Sequence, residues 1–302
     1  MKREKLFQLR QSLILLLTAV IWGVAFVAQS VGMEYVGPYT FIAVRFALGA
    51  LTLLPVILLQ GRHTAGGGVN GGSQPDTRAK SGPGLWMGGI LCGTALMIAS
   101  SLQQFGIMKT TVGKAGFITA MYIIIVPILG IFIGKRIRPL IWLCVLIAAV
   151  GLYLLSMSGS FVLQTGDGLC LACAFVFAVQ IMLIDHFVDE VDGVRLSAIQ
   201  FLTASVLGTV MMLLFEHPSW RALYEARVSL LYTGIMSSGV AYTLQIIGQR
   251  GLNPTIASLI MSLESVIAAV AGFIFLHQAF TSRELIGCIL MAAAIVLAQL
   301  QI

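Results

Sequence analysis

The sequence predicts an all-α membrane protein with ten transmembrane helices, arranged as two inverted five-helix repeats. The prediction rests on the composition, on the recurrence of long apolar segments, and on similarity between the two halves of the chain. Of the 302 residues, 58% are hydrophobic and only 10% are charged, whereas soluble domains usually have about 25% charged residues. A helix needs about 20 apolar residues to cross a bilayer, so ten spans account for most of the chain.

The apolar segments divide the chain into ten predicted spans. We expect helices, because a backbone exposed to lipid must satisfy its own hydrogen bonds, and the sequence lacks the alternating segments of a transmembrane β-barrel. The first segment is too long for the core of a signal peptide, so we expect it to remain in the mature protein. The predicted spans are about residues 13–31, 39–59, 84–107, 114–133, 140–157, 168–186, 195–215, 228–248, 254–276 and 283–301.

The longest predicted loop, about residues 61–83, is rich in glycine and is expected to be a flexible cytoplasmic linker. Within it Gly66, Gly68 and Gly71 match G-x-G-x-x-G, but a dinucleotide site requires a strand before this motif and a helix after it. A βαβ unit has no place between two membrane spans, so we attribute the match to glycine content. The sequence also lacks a Walker A motif, and no cofactor is expected.

Basic residues predict the orientation, because short loops rich in Lys and Arg stay in the cytoplasm. We therefore expect a multi-pass protein of the cell membrane with both termini in the cytoplasm. The net charge of +6 is explained by this distribution and does not indicate nucleic-acid binding. The residues that set the orientation are Lys2, Arg3, Lys5 and Arg10 at the amino terminus, Arg62, Arg78 and Lys80 after the second span, and Lys135, Arg136 and Arg138 after the fourth. The second half is less decisive, with Arg221, Arg227 and Arg283 outside against Arg195 and Arg250 inside.

The residues that usually build metal or catalytic sites are not grouped in a way that suggests an enzyme. The five cysteines all fall in apolar segments, which favours reduced packing residues over disulfides. The motifs H-E-x-x-H and G-x-S-x-G are absent, and no metal site is expected because no histidine lies at mid-membrane. The four histidines are His63, His186, His217 and His277.

An internal repeat divides the chain into residues 1–158 and 159–302. The segment WGVAFVAQ ends at Gln29, and CAFVFAVQ in the second half ends at Gln180. A constant offset of 142 residues aligns Gln103 with Gln245 and Tyr122 with Glu264. Five spans per repeat is an odd number, so the second repeat must run in the opposite direction across the membrane. Inverted repeats are typical of secondary transporters, whose substrate sites lie near the midplane where the repeats meet.

Glu264 is the strongest candidate for a functional residue, because it lies within the apolar segment 258–275. An ionised side chain at the centre of a span costs about 2.5–3.5 kcal/mol, and protonating a glutamate at pH 7 costs about 3.7 kcal/mol. The two costs are similar, so both states remain open, which suits proton coupling or gating by substrate. The alternative is a structural glutamate held by hydrogen bonds from Ser262, Ser265 or a neighbouring helix.

Polar residues on other spans extend this candidate site. In the eighth span Ser238, Tyr242, Gln245 and Gln249 recur at spacings that put them on one helix face. Such a face lines a cavity or a contact between helices, and both readings stay open. The candidate substrate-binding residues are Trp22, Phe26, Gln29, Gln103, Tyr122, Gln180, Tyr242, Gln245 and Glu264.

Arg45 lies about two turns into the second span. Three readings stay open for its guanidinium group: an ion pair or coupling with Glu264, snorkelling to the outer surface, or contact with an anionic substrate.

The chain resembles the EamA-type transporters of the drug/metabolite transporter superfamily over essentially its whole length. The resemblance is carried by W-G-x-x-F at Trp22, by Arg45 in FIAVRFALGAL, by the A-G-F-I segment that ends at Pro127, and by LESV around Glu264. The chain departs from the family pattern at Ser265, where members often have proline, and at Lys135 and His277, where they often have glutamate. The resemblance implies ten helices, a central cavity and transport of small organic solutes such as amino acids, with a preference for export.

We therefore expect a secondary transporter, an exporter or exchanger of small metabolites, in contact with the lipid bilayer. The alternatives are a channel-like facilitator and a non-transporting membrane scaffold. A channel would more naturally show charged rings or a filter-like loop, and a scaffold has no need of Glu264. We expect a monomer, with a homodimer through Gly130 and Gly134 as the alternative.

Overall fold

The computed structural model describes residues 2–65, 83–110, 112–135, 137–156, 165–276 and 282–299. Within these ranges the regular elements are fourteen α-helices and one π-helix, and there is no strand. In chain order they are α1 (Lys2–Gly32), α2 (Pro38–Ala65), α3 (Pro83–Ile107), α4 (Val112–Ala120), α5 (Tyr122–Phe132), α6 (Pro139–Ser156), α7 (Thr165–Phe187), α8 (Gly193–Phe215), α9 (Trp220–Glu225), α10 (Arg227–Leu231), π1 (Tyr232–Tyr242), α11 (Thr243–Gln249), α12 (Pro254–Met261), α13 (Glu264–Leu276) and α14 (Ser282–Gln299).

Eight helical segments in the described part of the chain are long and apolar enough to cross a membrane. The predicted all-helical, multi-pass membrane protein is therefore confirmed. Two shorter apolar helices, Pro139–Leu154 and Leu285–Ala298, coincide with the predicted fifth and tenth spans, so the number ten stays a prediction. The predicted loop at about 61–83 falls mostly outside the described residues.

The fourth and ninth predicted spans are each broken near their middle. The first break separates α4 from α5 at Met121, whose N–H donates to the carbonyl of Ile118 at 3.1 Å. The second separates α12 from α13, where the N–H of Leu263 donates to the carbonyl of Ile260 at 3.2 Å. These bonds to the third preceding residue tighten the chain locally, as in a 3₁₀ turn. As a result, Tyr122 and Glu264 are the first residues of their half-helices.

Helix ends follow recognisable sequence signals. The side chain of Asn253 accepts a hydrogen bond from the N–H of Thr255 and so caps α12, whose first residue is Pro254. At the end of α5, Gly134 has φ +79° and the N–H of Lys135 donates to the Gly130 carbonyl at 2.9 Å, which is a Schellman motif. Gly134 therefore lies beyond the helix, and Gly130 and Gly134 do not form the helix face on which the homodimer alternative depended.

The helices pack in pairs that correspond between the two halves of the chain. α1 packs against π1, α11 and α13, while α7 packs against α3, α4 and α5. α2 packs against α8, and α6 packs against α14. The central core is apolar and includes the fully buried residues Leu15, Phe46, Leu96, Ile123, Phe201 and Leu259.

Candidate substrate cavity

A cavity lies where α1, α2, α3, α4, α5, α7, π1, α11, α12 and α13 meet. It encloses about 440 Å³ of space not filled by atoms, including space open towards the surface. All nine candidate substrate-binding residues, and Arg45, line it. The lining residues are Trp22, Phe26, Gln29, Arg45, Gln103, Thr119, Tyr122, Phe177, Gln180, Ile181, Ser237, Tyr242, Gln245, Met261 and Glu264.

The acidic group of the cavity is held at the two helix breaks. Glu264 is 5% exposed and accepts a hydrogen bond of 3.0 Å from the hydroxyl group of Tyr122. A carboxylate in the first turn of a helix is stabilised by the helix dipole. The hydroxyl of Ser262 donates to the Leu259 carbonyl, and that of Ser265 donates to the Gly116 carbonyl. The two serines therefore do not hold Glu264. Its hydrogen-bond donor comes from a neighbouring helix, which is the third form of the structural alternative, so that alternative stays open.

The basic group of the cavity is Arg45, which is only 2% exposed. Its Nη1 atom donates to Gln29 Oε1 at 2.9 Å, and its Nε atom donates to Ser238 Oγ at 3.3 Å. The salt bridges among the described residues are Lys135 with Asp185 and Arg221 with Glu225, so Arg45 pairs neither with Glu264 nor with another carboxylate.

Two of the readings left open for Arg45 are thereby excluded in this structure. Burial excludes snorkelling to the surface, and the absence of a salt bridge among these residues excludes direct pairing with Glu264. Arg45 is a buried cation whose hydrogen-bond partners are neutral oxygens, and its guanidinium group lies over the ring of Phe46 at 4.8 Å from the centroid.

An aromatic wall connects α1 with the eighth span. The rings of Trp22 and Tyr242 are 4.6 Å apart, and Trp22 Nε1 donates to the carbonyl of Ser237 at 3.2 Å. Ser237 and Tyr242 belong to π1, which has eleven residues. π-helical segments are rare and frequently occur at functional sites. In a regular α-helix, residues five apart such as Ser237 and Tyr242 do not lie on the same face. The sequence therefore did not indicate that Ser237 lines this cavity.

Gly23 allows α1 to approach the start of α13 closely. A Cβ atom at this position would lie 2.8 Å from the carbonyl oxygen of Glu264 and 2.5 Å from Cβ of Ile267. Real side chains do not sustain such contacts. Glycine at position 23 therefore lets Trp22 and Phe26, on the same helix, line the cavity beside Glu264.

Glutamines form most of the remaining polar part of the lining. Gln245 Nε2 donates to Gln180 Oε1 at 3.5 Å, and Gln180 Nε2 donates to Gln200 Oε1 at 3.4 Å. Gln103 lines the cavity from α3. Gln249, on the predicted polar face of the eighth span, is buried but does not line the cavity.

Five lining residues were missed from the sequence: Thr119, Phe177, Ile181, Ser237 and Met261. The internal repeat contained a signal for one of them. Phe177 corresponds to Phe26 under the offset of 151 that pairs Gln180 with Gln29. Thr119 and Met261 correspond to each other under the offset of 142.

In the described part of the chain the buried cysteines form no disulfide, and the side chains that commonly bind metals form no metal site. Cys92, Cys144, Cys170 and Cys173 are free thiols and are buried. No group of three or more His, Cys, Asp or Glu side chains in the described ranges has a geometry that could hold a metal ion.

Comparisons with known proteins identify the kind of protein that carries this cavity. The EamA-like transporter family model matches residues 10–157 and 164–300. An uncharacterized transporter of Archaeoglobus fulgidus is 27% identical over 291 residues, covering 95% of this chain and 85% of that protein. The uncharacterized transporter YoaV of Bacillus subtilis is 22% identical over 284 residues, covering 91% of this chain and 92% of that protein.

A protein of known crystal structure shares the fold, with a TM-score of 0.77 and 19% identity over 97% of both chains. The family model spans nearly the whole chain, as the sequence motifs had predicted. The chain therefore belongs to the EamA-like transporter family and is a multi-pass membrane transporter.

Proposed function

We propose that the protein is a secondary transporter that moves small organic metabolites, amino acids in particular, across the cell membrane by alternating access, as an exporter or an exchanger. The observation that carries the proposal is that one buried cavity holds a cation, Arg45, and a carboxylate, Glu264, that do not pair with each other. The protein would act as a monomer in the bilayer and without a cofactor.

Arg45 and the ionised form of Glu264 suit a substrate that carries both charges. Burying a charged group is costly unless the group is paired and hydrogen-bonded. Arg45 has neutral oxygen partners, and Glu264 has the hydroxyl of Tyr122. A zwitterionic substrate supplies a carboxylate for Arg45 and an ammonium group for Glu264. Guanidinium groups bind carboxylates strongly because two N–H groups can donate in parallel.

The rest of the lining suits an organic side chain. Phe26, Phe177, Ile181 and Met261 present apolar surface to the cavity. Small-molecule sites typically combine such walls with a few polar groups that fix the ligand's orientation. The lining thus favours a small amphipathic metabolite over an inorganic ion.

The pairing of lining residues supports two inverted repeats, residues 1–158 and 159–302, of five spans each. Repeat-related positions contribute together to the cavity, among them Gln29 with Gln180, Gln103 with Gln245, and Tyr122 with Glu264. The helix contacts show the same correspondence, because the first helix of each proposed repeat packs on the broken span of the other repeat. α1 packs on α13, and α7 packs on α4 and α5. Broken helices at a central site and rocking of one repeat against the other are recurring features of such transporters.

We further propose that both termini lie in the cytoplasm. The cytoplasmic side then carries the basic amino-terminal segment, the turn after α5, the turn between α7 and α8, and the end of α11. In the first half Lys5, Arg10, Lys135 and Arg138 follow the rule that Lys and Arg accumulate on this side. In the second half Arg195 and Arg250 lie on this side, and Arg221, Arg227 and Arg283 lie on the other.

Binding by analogues that lack one charge tests the proposed substrate class. The purified protein is heated in detergent with amino acids, with their methyl esters, which lack the carboxylate, and with their N-acetyl derivatives, which lack the ammonium group. A ligand at 100 times its Kd stabilises the folded state by about 2.7 kcal/mol. We expect the zwitterion alone to raise the melting temperature. Equal stabilisation by either analogue contradicts recognition of both charges.

Flux in proteoliposomes tests transport itself. We expect saturable uptake and counterflow of the stabilising amino acid, whereas an ohmic current would indicate a channel. Glu264→Gln should reduce flux at least ten-fold with normal membrane insertion, because the carboxylate is lost from the cavity. Glu34→Gln, at an exposed position, serves as the matched control. Normal flux through Glu264→Gln at every pH tested would rule out a role for Glu264 in transport.

A further inference from the structure

We propose that substrate moves between the cavity and one membrane face along a glutamine track, and that Arg250 closes this track. The glutamine track consists of Gln180, Gln200, Gln245 and Gln249, on α7, α8 and α11. The proposal rests on the proposed transport function. It assigns roles to three residues outside the cavity lining: Gln200, Gln249 and Arg250.

The track begins at the cavity and extends away from it. Gln180 and Gln245 line the cavity and are hydrogen-bonded to each other. Gln200, on α8, accepts a hydrogen bond from Gln180 Nε2, and Gln249 Nε2 donates to the carbonyl of Ile181 at 3.4 Å. All four glutamines are at most 1% exposed. Three amides of the track are linked at the cavity, and Gln249, one turn beyond Gln245, brings a fourth to the end of α11.

Three amide atoms of the track have no hydrogen-bond partner among the residues that the structure describes. They are Nε2 of Gln200, Oε1 of Gln245 and Oε1 of Gln249. Buried polar atoms in native proteins nearly always have a partner, and an atom without a protein partner indicates a water molecule or a ligand. The three atoms offer both donor and acceptor positions, which suits water and the polar groups of a passing zwitterion.

The hydrogen bonds within the track are long. They measure 3.4–3.5 Å between donor and acceptor, whereas strong N–H···O bonds measure about 2.7–3.2 Å. Long bonds of this kind are weak, so a ligand that offers better-placed groups can replace them. The contact between α7 and α11 can therefore open without the loss of strong bonds along the track.

Arg250 forms the strong contact at the outer end of the track. It directly follows Gln249, is exposed, and ties the end of α11 to the turn after α7. Its Nε and Nη2 atoms donate to the Val188 carbonyl at 3.0 and 2.8 Å, and Nη2 also donates to the Val191 carbonyl at 2.9 Å. Carbonyls at a helix end attract cations. Three short bonds must break before α11 can separate from α7 at this face.

Access of a thiol reagent to the cavity tests the proposal without any substrate. Ile181, which lines the cavity and is 2% exposed, is replaced by cysteine in a chain whose five native cysteines are alanine. A membrane-impermeant maleimide is added from the face that carries the α7–α8 turn, in inside-out vesicles under the orientation proposed above. Arg250→Gln is expected to raise the labelling rate about ten-fold, since three strong bonds are lost. Arg250→Lys should raise it less, because lysine keeps the charge but cannot donate as a fork.

Arg195→Gln is the matched control. It removes the same charge at the same face, at a side chain with no hydrogen bond to the α7 carbonyls, and should leave the labelling rate unchanged. If Arg250→Gln does not fold as a monodisperse protein, Arg250→Lys carries the test. An unchanged rate in the Arg250 variants, or an equal rise in Arg195→Gln, would overturn the role of Arg250.

The polar character of the track is tested in the Arg250→Gln background. Gln200→Met and Gln249→Met keep nearly the same volume but remove the amide groups that attract water. We expect each to bring the labelling rate of the Ile181→Cys chain back to within about two-fold of its value with Arg250 present. Undiminished labelling would show that the reagent reaches the cavity by another route and would overturn the track. Failure of the transport proposal would leave these labelling rates unaffected, so the two outcomes are distinguishable.

Discussion

Replacing Gly23 with alanine is expected to push α1 away from α13 and to disturb the cavity wall between them. The new Cβ would lie 2.5 Å from Ile267 Cβ and 2.8 Å from the Glu264 carbonyl oxygen, where ordinary contacts begin near 3.4 Å. The two helices must therefore separate by about 1 Å, and overpacking of this kind costs about 1–3 kcal/mol in free energy of unfolding. The Glu264 carbonyl belongs to the backbone and cannot rotate away as a flexible side chain could.

The same shift moves Trp22 and Phe26 relative to Glu264, since all three line the cavity. We expect a lower melting temperature in detergent and about ten-fold weaker substrate binding, equivalent to about 1.4 kcal/mol. Gly84→Ala is the matched control, because a Cβ there would meet nothing within 4 Å, and alanine favours a helix by up to about 1 kcal/mol. If Gly23→Ala melts like Gly84→Ala and binds substrate normally, the close approach of α1 does not shape the cavity.

Three further changes test single contacts. Tyr122→Phe removes the hydroxyl that donates to Glu264; a hydrogen bond to a charged group is worth about 1.5–3 kcal/mol, so flux should fall ten-fold or more, and unchanged flux would contradict its role. Arg45→Lys keeps the charge but loses the paired donors, so amino-acid binding measured by calorimetry should weaken; binding as tight as in the parent would argue against a guanidinium–carboxylate contact. Glu216→Gln replaces the carboxylate that accepts hydrogen bonds from two N–H groups at the start of α2. It should lower the free energy of unfolding by about 1 kcal/mol. The control is Glu190→Gln at an exposed position, which should have no effect.

The lining of the cavity could largely be predicted from the sequence because polar residues are rare in membrane helices. A glutamine or glutamate in an apolar span must avoid lipid, so Gln29, Gln103 and Glu264 were expected to face the interior of the helix bundle. The repeat then pointed to Gln180 and Tyr122 through their counterparts. The same argument applied to apolar positions would have found Phe177, but an apolar residue in an apolar span carries no signal of its own.

The helix breaks and the π-helix could not be predicted in the same way. Hydropathy reports that a segment lies in the membrane, whereas the hydrogen-bond pattern within the segment depends on packing against other helices. Met121 and Leu263 are themselves apolar, and neither break contains the proline or glycine that usually announces one. The partners of Arg45 were hidden for a related reason, since Gln29 and Ser238 reach it only once three helices are packed.

Trp22 gives the cavity a built-in fluorophore. Its indole N–H group donates to the Ser237 carbonyl and its ring lies 4.6 Å from Tyr242. The chain has four tryptophans, and two of the others, Trp86 and Trp220, are 60% and 88% exposed. With Trp86, Trp142 and Trp220 replaced by phenylalanine, the emission spectrum would come from this ring alone. Its wavelength would then follow the entry of water and solute into the cavity in real time, without a radioactive substrate.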